Sequence, residues 1–477
     1  MIHGTSISSG AGCLSAQRAA GLFLVLIALA VSIADAAGQP FGPACSEILL
    51  LVVLVTIALA ISKTAGGISS LIGLFFIGTT LWVAPRPLIA LFTGDQEVFT
   101  LLFGQMAAPR GAELSHLLAF WDAGVAGLFG GYFLFFRPIR PNWRPLSNAA
   151  GLFLRRSFIW VWVIVAVLLP ILAHKRAAQF AEGGYLALYL NQADSSFSIL
   201  PILGYLIPAL YAFAVIIGDK KYSRAMIAAV LGYVLCGIFF GRRMELGTWI
   251  LVALWHATTI KGKTIRAGRL IAGFALTAYG FQWVETLRSQ SDLANQMLLF
   301  FFSSQGVIFM IPALSFELPS PPLHTVLGSL LSMRHFYRLL GIGSVGTANL
   351  LDYISSQSAP DLFAGGNGLS STGYLDVFYL CGRFMIPYAV VCVFIGFLLH
   401  RWESAAMRNR IALFFLCVSL PLLFFVQRSS IFTVTSQVVY LAVFMAGLWV
   451  LNLLVNLFKF TQTPNEVFGL GGASLSA

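Results

Sequence analysis

Apolar residues in this chain gather in blocks of membrane-spanning length. The blocks fall at 19–36, 45–62, 67–92, 113–136, 157–173, 198–217, 225–240, 246–260, 268–284, 382–400, 411–426 and 432–457. A transmembrane helix needs about 20 apolar residues, so the pattern predicts an all-α, polytopic integral membrane protein of about 12 transmembrane helices. Ala34–Asp35–Ala36 resembles a small-residue cleavage site, which would make the first block a removable leader. A multi-span chain needs no separate signal, so the block reads as the first span.

One apolar stretch is left over, 296–316, reading QMLLFFFSSQGVIFMIPALSF. A full crossing there would invert every later span. Gly306 and Pro312 interrupt regular helix, and the stretch reads as a re-entrant or in-plane segment. Three regions follow: 1–284 with helices one to nine, 285–381 as a long extracytoplasmic loop, and 382–477 with the last three helices and a cytoplasmic tail. Loops of that length inside a compact protein usually carry function. No internal repeat is visible, so an inverted-repeat transporter gains no support.

Composition narrows the class. Hydrophobic residues make up 58% of the 477 and charged residues only 10%, too few to keep a soluble surface wet. The net charge of +11 would point to nucleic acid in a soluble protein, but here its distribution is topological and no nucleic-acid partner is expected. With the N-terminus inside, the inner side collects Arg18, Lys63, Arg137, Arg140, Arg144, Arg155, Arg156, Lys220, Lys221, Arg224, Lys261, Lys263, Arg266, Arg269, Arg401, Arg408, Arg410 and Lys459. Only Asp219, Glu403 and Glu466 join them among the acids. Both termini are therefore expected in the cytoplasm.

The remaining basic residues carry the candidate chemistry. Lys175, Arg176, Arg86 and Arg110 read as interfacial anchors. Arg242 and Arg243, in GRRMELG between two apolar blocks, are different. The turn is so short that both guanidinium groups must sit near the outer membrane boundary, where they repel and need a partner. Glu245 can neutralise one of them or hold a sugar hydroxyl, and phosphate oxygens suit a planar guanidinium. Arg334 and Arg338, in MRHFYRLLGIGSVG, share one helix face with His335 and Tyr337 among them, offering a second cationic jaw. In DLFAGGNGLSSTGYLDVFYLCGRF, Ser370, Ser371 and Thr372 can cap the helix that follows. Asp376 lies where the chain re-enters the membrane: as an ion pair with Arg383, or as a general base or sugar-hydroxyl acceptor.

No metal or cofactor is expected. DxD, HExxH, GxSxG and Walker patterns are absent, and the six cysteines lack metal spacing and read mostly as small buried residues. Asp122, mid-span in FWDAGVAG, is the one residue suited to a proton or ion relay.

The GRR segment opening a helix pair, followed by a long outer loop ending in a GxGxSS…D…G stretch, resembles the oligosaccharide repeat-unit polymerases. These are the Wzy-type O-antigen polymerases of bacterial inner membranes, related to the O-antigen ligases. The resemblance covers the topology of most of the chain, with residue-level matches at about 241–247 and 366–382. It implies a glycosyltransferase that moves a growing glycan from undecaprenyl pyrophosphate onto a new lipid-linked repeat unit at the periplasmic face, without metal, beside membrane lipids and a chain-length regulator. In that family's pattern Gly241–Arg242 opens the outer end of a helix, so Arg242 and Arg243 would hold the pyrophosphate. Arg334, His335 and Arg338 stand for the relatives' loop arginine and histidine. Ser370–Ser371–Thr372 occupies the place where many relatives carry histidine, which raises Asp376 beside His335 as the base. Ser370, Ser371, Tyr374 and Glu245 would meet the sugar, and Tyr337, Tyr353, Tyr374 and Tyr379 offer faces for stacking or interfacial anchors.

Three rivals share these features. A lipid-linked oligosaccharide flippase or secondary transporter would work through Asp122. A polyprenyl-monophosphate-dependent glycosyltransferase would use Asp35 or Glu47 as its base. An O-antigen ligase would differ only in its acceptor.

Overall fold

The structure is a computed structural model. It describes residues 10–99 (without 65 and 95), 109–190 (without 139, 140, 144 and 145), 199–239 and 243–263. It further describes 265, 268, 272, 273, 275 and 276, then 306–330 (without 317), 350–360 (without 359) and 371–461. No strand occurs among these residues.

Among the described residues of the first half are the helices α1 (Gly10–Ala36), α2 (Pro43–Ser62), α3 (Leu71–Trp82), α4 (Pro85–Thr93), α5 (Ala112–Leu134), α6 (Asn148–Leu190), α7 (Ile199–Ile217), α8 (Lys220–Phe239) and α9 (Arg243–Trp255). Among those of the second half are α10 (Ile311–Phe316), α11 (Leu323–Leu330), α12 (Leu350–Ser358), α13 (Gly373–Leu380), α14 (Met385–Ala406), α15 (Arg410–Leu423) and α16 (Phe432–Thr461). Local sequence explains the starts: Pro43 and Pro85 occupy first-turn positions, where the missing N–H costs nothing. Ser70 and Asn409 cap α3 and α15 by accepting the backbone N–H of Gly73 and Ile411.

Among the described residues, six helices are long and apolar enough to cross a membrane, or seven if the bent pair α3–α4 is one span. Three more, Ile202–Ile217, Leu246–Ile260 and Arg410–Leu423, are apolar but shorter. Every apolar block but 268–284 coincides with helix, and nearly all of that block lies outside the described residues. The 67–92 block is not one rod. It breaks after Trp82, ahead of Pro85 and Pro87, and bends by 55°. The bend turns Arg86 inward, so the residue expected as an interfacial anchor is only 1% exposed. The leftover apolar stretch forms a short 3₁₀ turn (Gly306–Met310) and then α10.

α5 is the central helix, running beside α1 and α14. Glycines make this closeness possible. A Cβ at Gly21 would strike the backbone of Phe133 and Leu134, one at Gly131 that of Val393, and one at Gly396 that of Leu128 and Tyr132. Small residues that let helix backbones touch are the usual means of packing where lipid offers no hydrophobic drive.

Hydrogen bonds between helix ends give the bundle two distinct faces. At one, Trp143 Nε1 donates to Ala406 O (2.9 Å), Asn142 N to Met407 O (2.9 Å), Arg410 to Ile216 O (2.9 Å) and Arg156 to Asn452 Oδ1 (2.9 Å). The helix termini joined there carry Arg137, Arg155, Arg156, Lys220, Lys221, Arg224, Arg401, Arg408 and Arg410. The opposite face gathers the last turn of α1, the first turns of α5 and α14, and the 311–320 and 371–384 segments.

Candidate functional site

At that opposite face, Thr372 caps α13 by accepting the Tyr374 N–H (3.3 Å). The helix is tucked so tightly behind the start of α16 that a Cβ on Gly373 would meet Val426 Cγ2 at 2.7 Å and Ile431 Cβ at 3.2 Å. Asp376, in its first turn, is 0% exposed. Its Oδ2 accepts the Ile431 N–H (2.8 Å) and its Oδ1 the Ser371 hydroxyl (3.4 Å), with the Ser430 hydroxyl also bonded to the carboxyl.

The ion pair between Asp376 and Arg383 is not made. Arg383 instead donates to the carbonyl oxygens of Phe316 (3.2 Å) and Leu318 and to Ser320 Oγ (3.3 Å). It does so from a left-handed backbone conformation (φ 67°), the only such non-glycine residue described. The arginine thus clamps the 316–320 segment, and Asp376 is left with neutral donors.

Burial without a cation pushes the Asp376 carboxyl up to about 7, although the three donors pull the other way. A raised acid favours the folded state when protonated. Its stabilising share is complete below the ordinary carboxylate range and is lost as pH climbs through about 7. We therefore expect Asp376→Asn to reduce the fall in Tm of the detergent-solubilised protein between pH 5 and pH 8. An unchanged fall would mean that this carboxyl stays ionised throughout.

Tyr374 is buried, with its ring against the edge of Trp121 (centroids 5.4 Å) and close to Gly124. Tyr353 and Tyr379 are buried too, donating to Pro319 O (2.9 Å) and Ser315 O (3.0 Å). These three rings are spent on packing and on pinning 315–320. Ser371 is likewise buried and spent on Asp376. Arg242, Arg334, His335, Arg338 and Ser370 lie outside the described residues. Arg243 opens α9, but its side chain and that of Glu245 lie outside them as well.

Asp122 faces the bundle interior at 0% exposure, and neither carboxylate oxygen has a hydrogen-bond partner among the described residues. A cavity of about 540 Å³ lined by Arg155, Arg410, Asn148 and Ile216 opens at the basic face, away from Asp376.

The sequence reading passed over His116. Its Nδ1 lies 2.7 Å from Asp35 Oδ1, joining the first turns of α5 to the last turn of α1. The only local signal was a polar residue one turn into an apolar block. The ring of His116 also packs against Phe316 (centroids 4.5 Å), whose carbonyl Arg383 holds.

A protein-family profile described as O-antigen polysaccharide polymerase Wzy matches residues 21–459. No curated protein and no solved structure matches the chain.

Proposed function

The chain belongs to the O-antigen polysaccharide polymerase Wzy family, and from that premise we propose that it joins lipid-linked oligosaccharide repeat units into a surface polysaccharide. The carrying observation is the extent of the match, which runs from the first helix into the last. The donor is a growing glycan on undecaprenyl pyrophosphate and the acceptor a single lipid-linked unit. The chain crosses the bacterial inner membrane about 12 times, and its basic face lies in the cytoplasm. What supports that orientation is the clustering of arginines and lysines at one end of the helices.

The reaction face is then periplasmic, where Asp35, His116, Asp376 and Arg383 sit. The leaving group is a diphosphate already held by the membrane, so no soluble nucleotide site is called for. Arg242 and Arg243 grip that diphosphate, assisted by Arg334 or Arg338, and stabilise the charge that develops on it. Asp376, poised near neutrality, holds the 371–376 segment against α16 and so fixes the wall of the site. Ser370 and Glu245 are left to meet the sugar, and His335 to serve the acceptor side. A chain-length regulator is the protein partner that would set how long the polymer grows.

The test is genetic. Cells lacking this chain should carry single capped repeat units, and its return should restore the ladder of long polymer. Unaltered ladders in the deleted strain would refute the reading.

A second reading is favoured by one observation, the buried carboxylate of Asp122 in the central helix, which has no hydrogen-bond partner among the described residues. Intramembrane acids of this kind mark proton or ion pathways. A transporter predicts that Asp122→Asn stops movement of lipid-linked units across the membrane. The polymerase predicts that units still reach the periplasm in that variant.

A further inference from the structure

We infer that His116 and Asp35 form the proton-accepting dyad of the transfer, an inference that rests on the polymerase reading. The two residues lie 81 positions apart, and the packing of α1 on α5 brings them together. Their exposure is divided in a telling way: the Asp35 side chain is 5% exposed, the His116 side chain 35%. The open imidazole can reach a substrate from outside, while its carboxylate partner is covered.

The ionised carboxylate accepts only, so Nδ1 carries the proton in the 2.7 Å contact when the ring is neutral. That fixes the tautomer and leaves Nε2 as the basic nitrogen. Nε2 has no hydrogen-bond partner among the described residues. Asp35 thereby acts as a positioning residue in the way that a third group orients the base of a nucleophile–base pair. Edge-on packing against Phe316 (67° between rings) holds the imidazole plane, and Arg383 fixes Phe316 from its carbonyl side. A partly open imidazole and a guanidinium therefore flank one residue of the outer segment. Asp376 offers no such access, since it is fully covered.

The step balances without a further reactant. The acceptor hydroxyl gives its proton to His116 Nε2 as its oxygen bonds the donor's anomeric carbon. The bond from that carbon to the pyrophosphate oxygen breaks, and its electron pair departs on the lipid diphosphate. The imidazolium then releases its proton to water.

The experiment uses the full-length protein in liposomes with lipid-linked repeat units, reading chain growth and, separately, Tm. His116→Gln should fold and slow growth by about 10²–10⁴-fold. His116→Gly should lose activity similarly and regain part of it when imidazole is added. Asp35→Asn should lose a smaller factor, because the base remains but its orientation does not. Growth at the wild-type rate in folded His116→Gln overturns the inference, as does a folded His116→Gly that imidazole fails to rescue. If His116→Gly does not fold, the His116→Gln rate alone decides. A wild-type protein that makes no polymer sinks the polymerase reading itself, whereas polymer from both wild type and His116→Gln sinks only the dyad.

Discussion

Replacing Arg242 and Arg243 together by alanine should abolish long polymer while leaving single capped units on the cell. Arg243 is the first residue of α9, and Arg242 precedes it directly in the sequence. The unsatisfied N–H groups and the macrodipole at the start of a helix favour negative charge. Two arginines adjacent in sequence repel, and on the proposed role an anion relieves that repulsion, with phosphate oxygens the best geometric match. One well-placed donor to charge developing in a transition state is worth about 10²–10³ in rate, so losing both should leave chain growth below detection on a gel. On the proposed role the double variant keeps its Tm, since the residues then serve the ligand. Lysine at both positions should rescue poorly, since an ammonium cannot make paired contacts. Ladders of normal length in the double alanine variant would remove the arginines from the mechanism.

Gly131→Leu should have the largest effect on the fold. A Cβ at this position would run into the backbone of Val393, and Gly396 meets the backbone of Leu128 and Tyr132 in return. The two helices are interlocked by backbone, with no flexible side chain able to give way. Tyr388 Oη donating to Phe120 O (3.3 Å) and Tyr132 Oη donating to Glu403 tie the same pair near each end, so the helices cannot separate locally. Overpacking of a yielding core costs about 1–3 kcal/mol, and this site should lie at or above that range. A fall in Tm and in extractable folded protein is the expected result. Gly447→Ala is the control: nothing lies within 4 Å of its Cβ, and a mid-helix alanine should be neutral or mildly stabilising. Equal Tm values for the two variants would contradict the close α5–α14 packing.

What could be read from sequence follows from how membranes constrain a chain. The block at 113–136 became Ala112–Leu134 and that at 45–62 became Pro43–Ser62, because apolar length sets the helix directly. The break in 67–92 was signalled only by Pro85 and Pro87, which block length overrode. α6 runs on to Leu190, past the end of its apolar block and past Lys175 and Arg176, since a helix need not end where the lipid does.

The site divides in the same manner. Asp376 stood out because a carboxylate re-entering an apolar segment needs an explanation. Its true partners, Ser430 and Ile431, were invisible because they lie more than fifty residues along the chain. One of the alternatives for Asp376 pairs it with Arg383, yet Arg383 reaches back to Phe316, Leu318 and Ser320. His116 and Asp35 sit in separate blocks, and only the packing of α1 on α5 pairs them.

The central claim is that this protein makes glycosidic bonds between lipid-linked units. The most direct measurement gives the purified full-length chain, in liposomes, a single undecaprenyl-pyrophosphate-linked repeat unit and follows the lipid-linked products by gel and mass spectrometry. The account predicts a ladder of whole-number multiples of the unit, with one lipid diphosphate freed per bond formed. Units that stay single, whether or not they cross the bilayer, would contradict it.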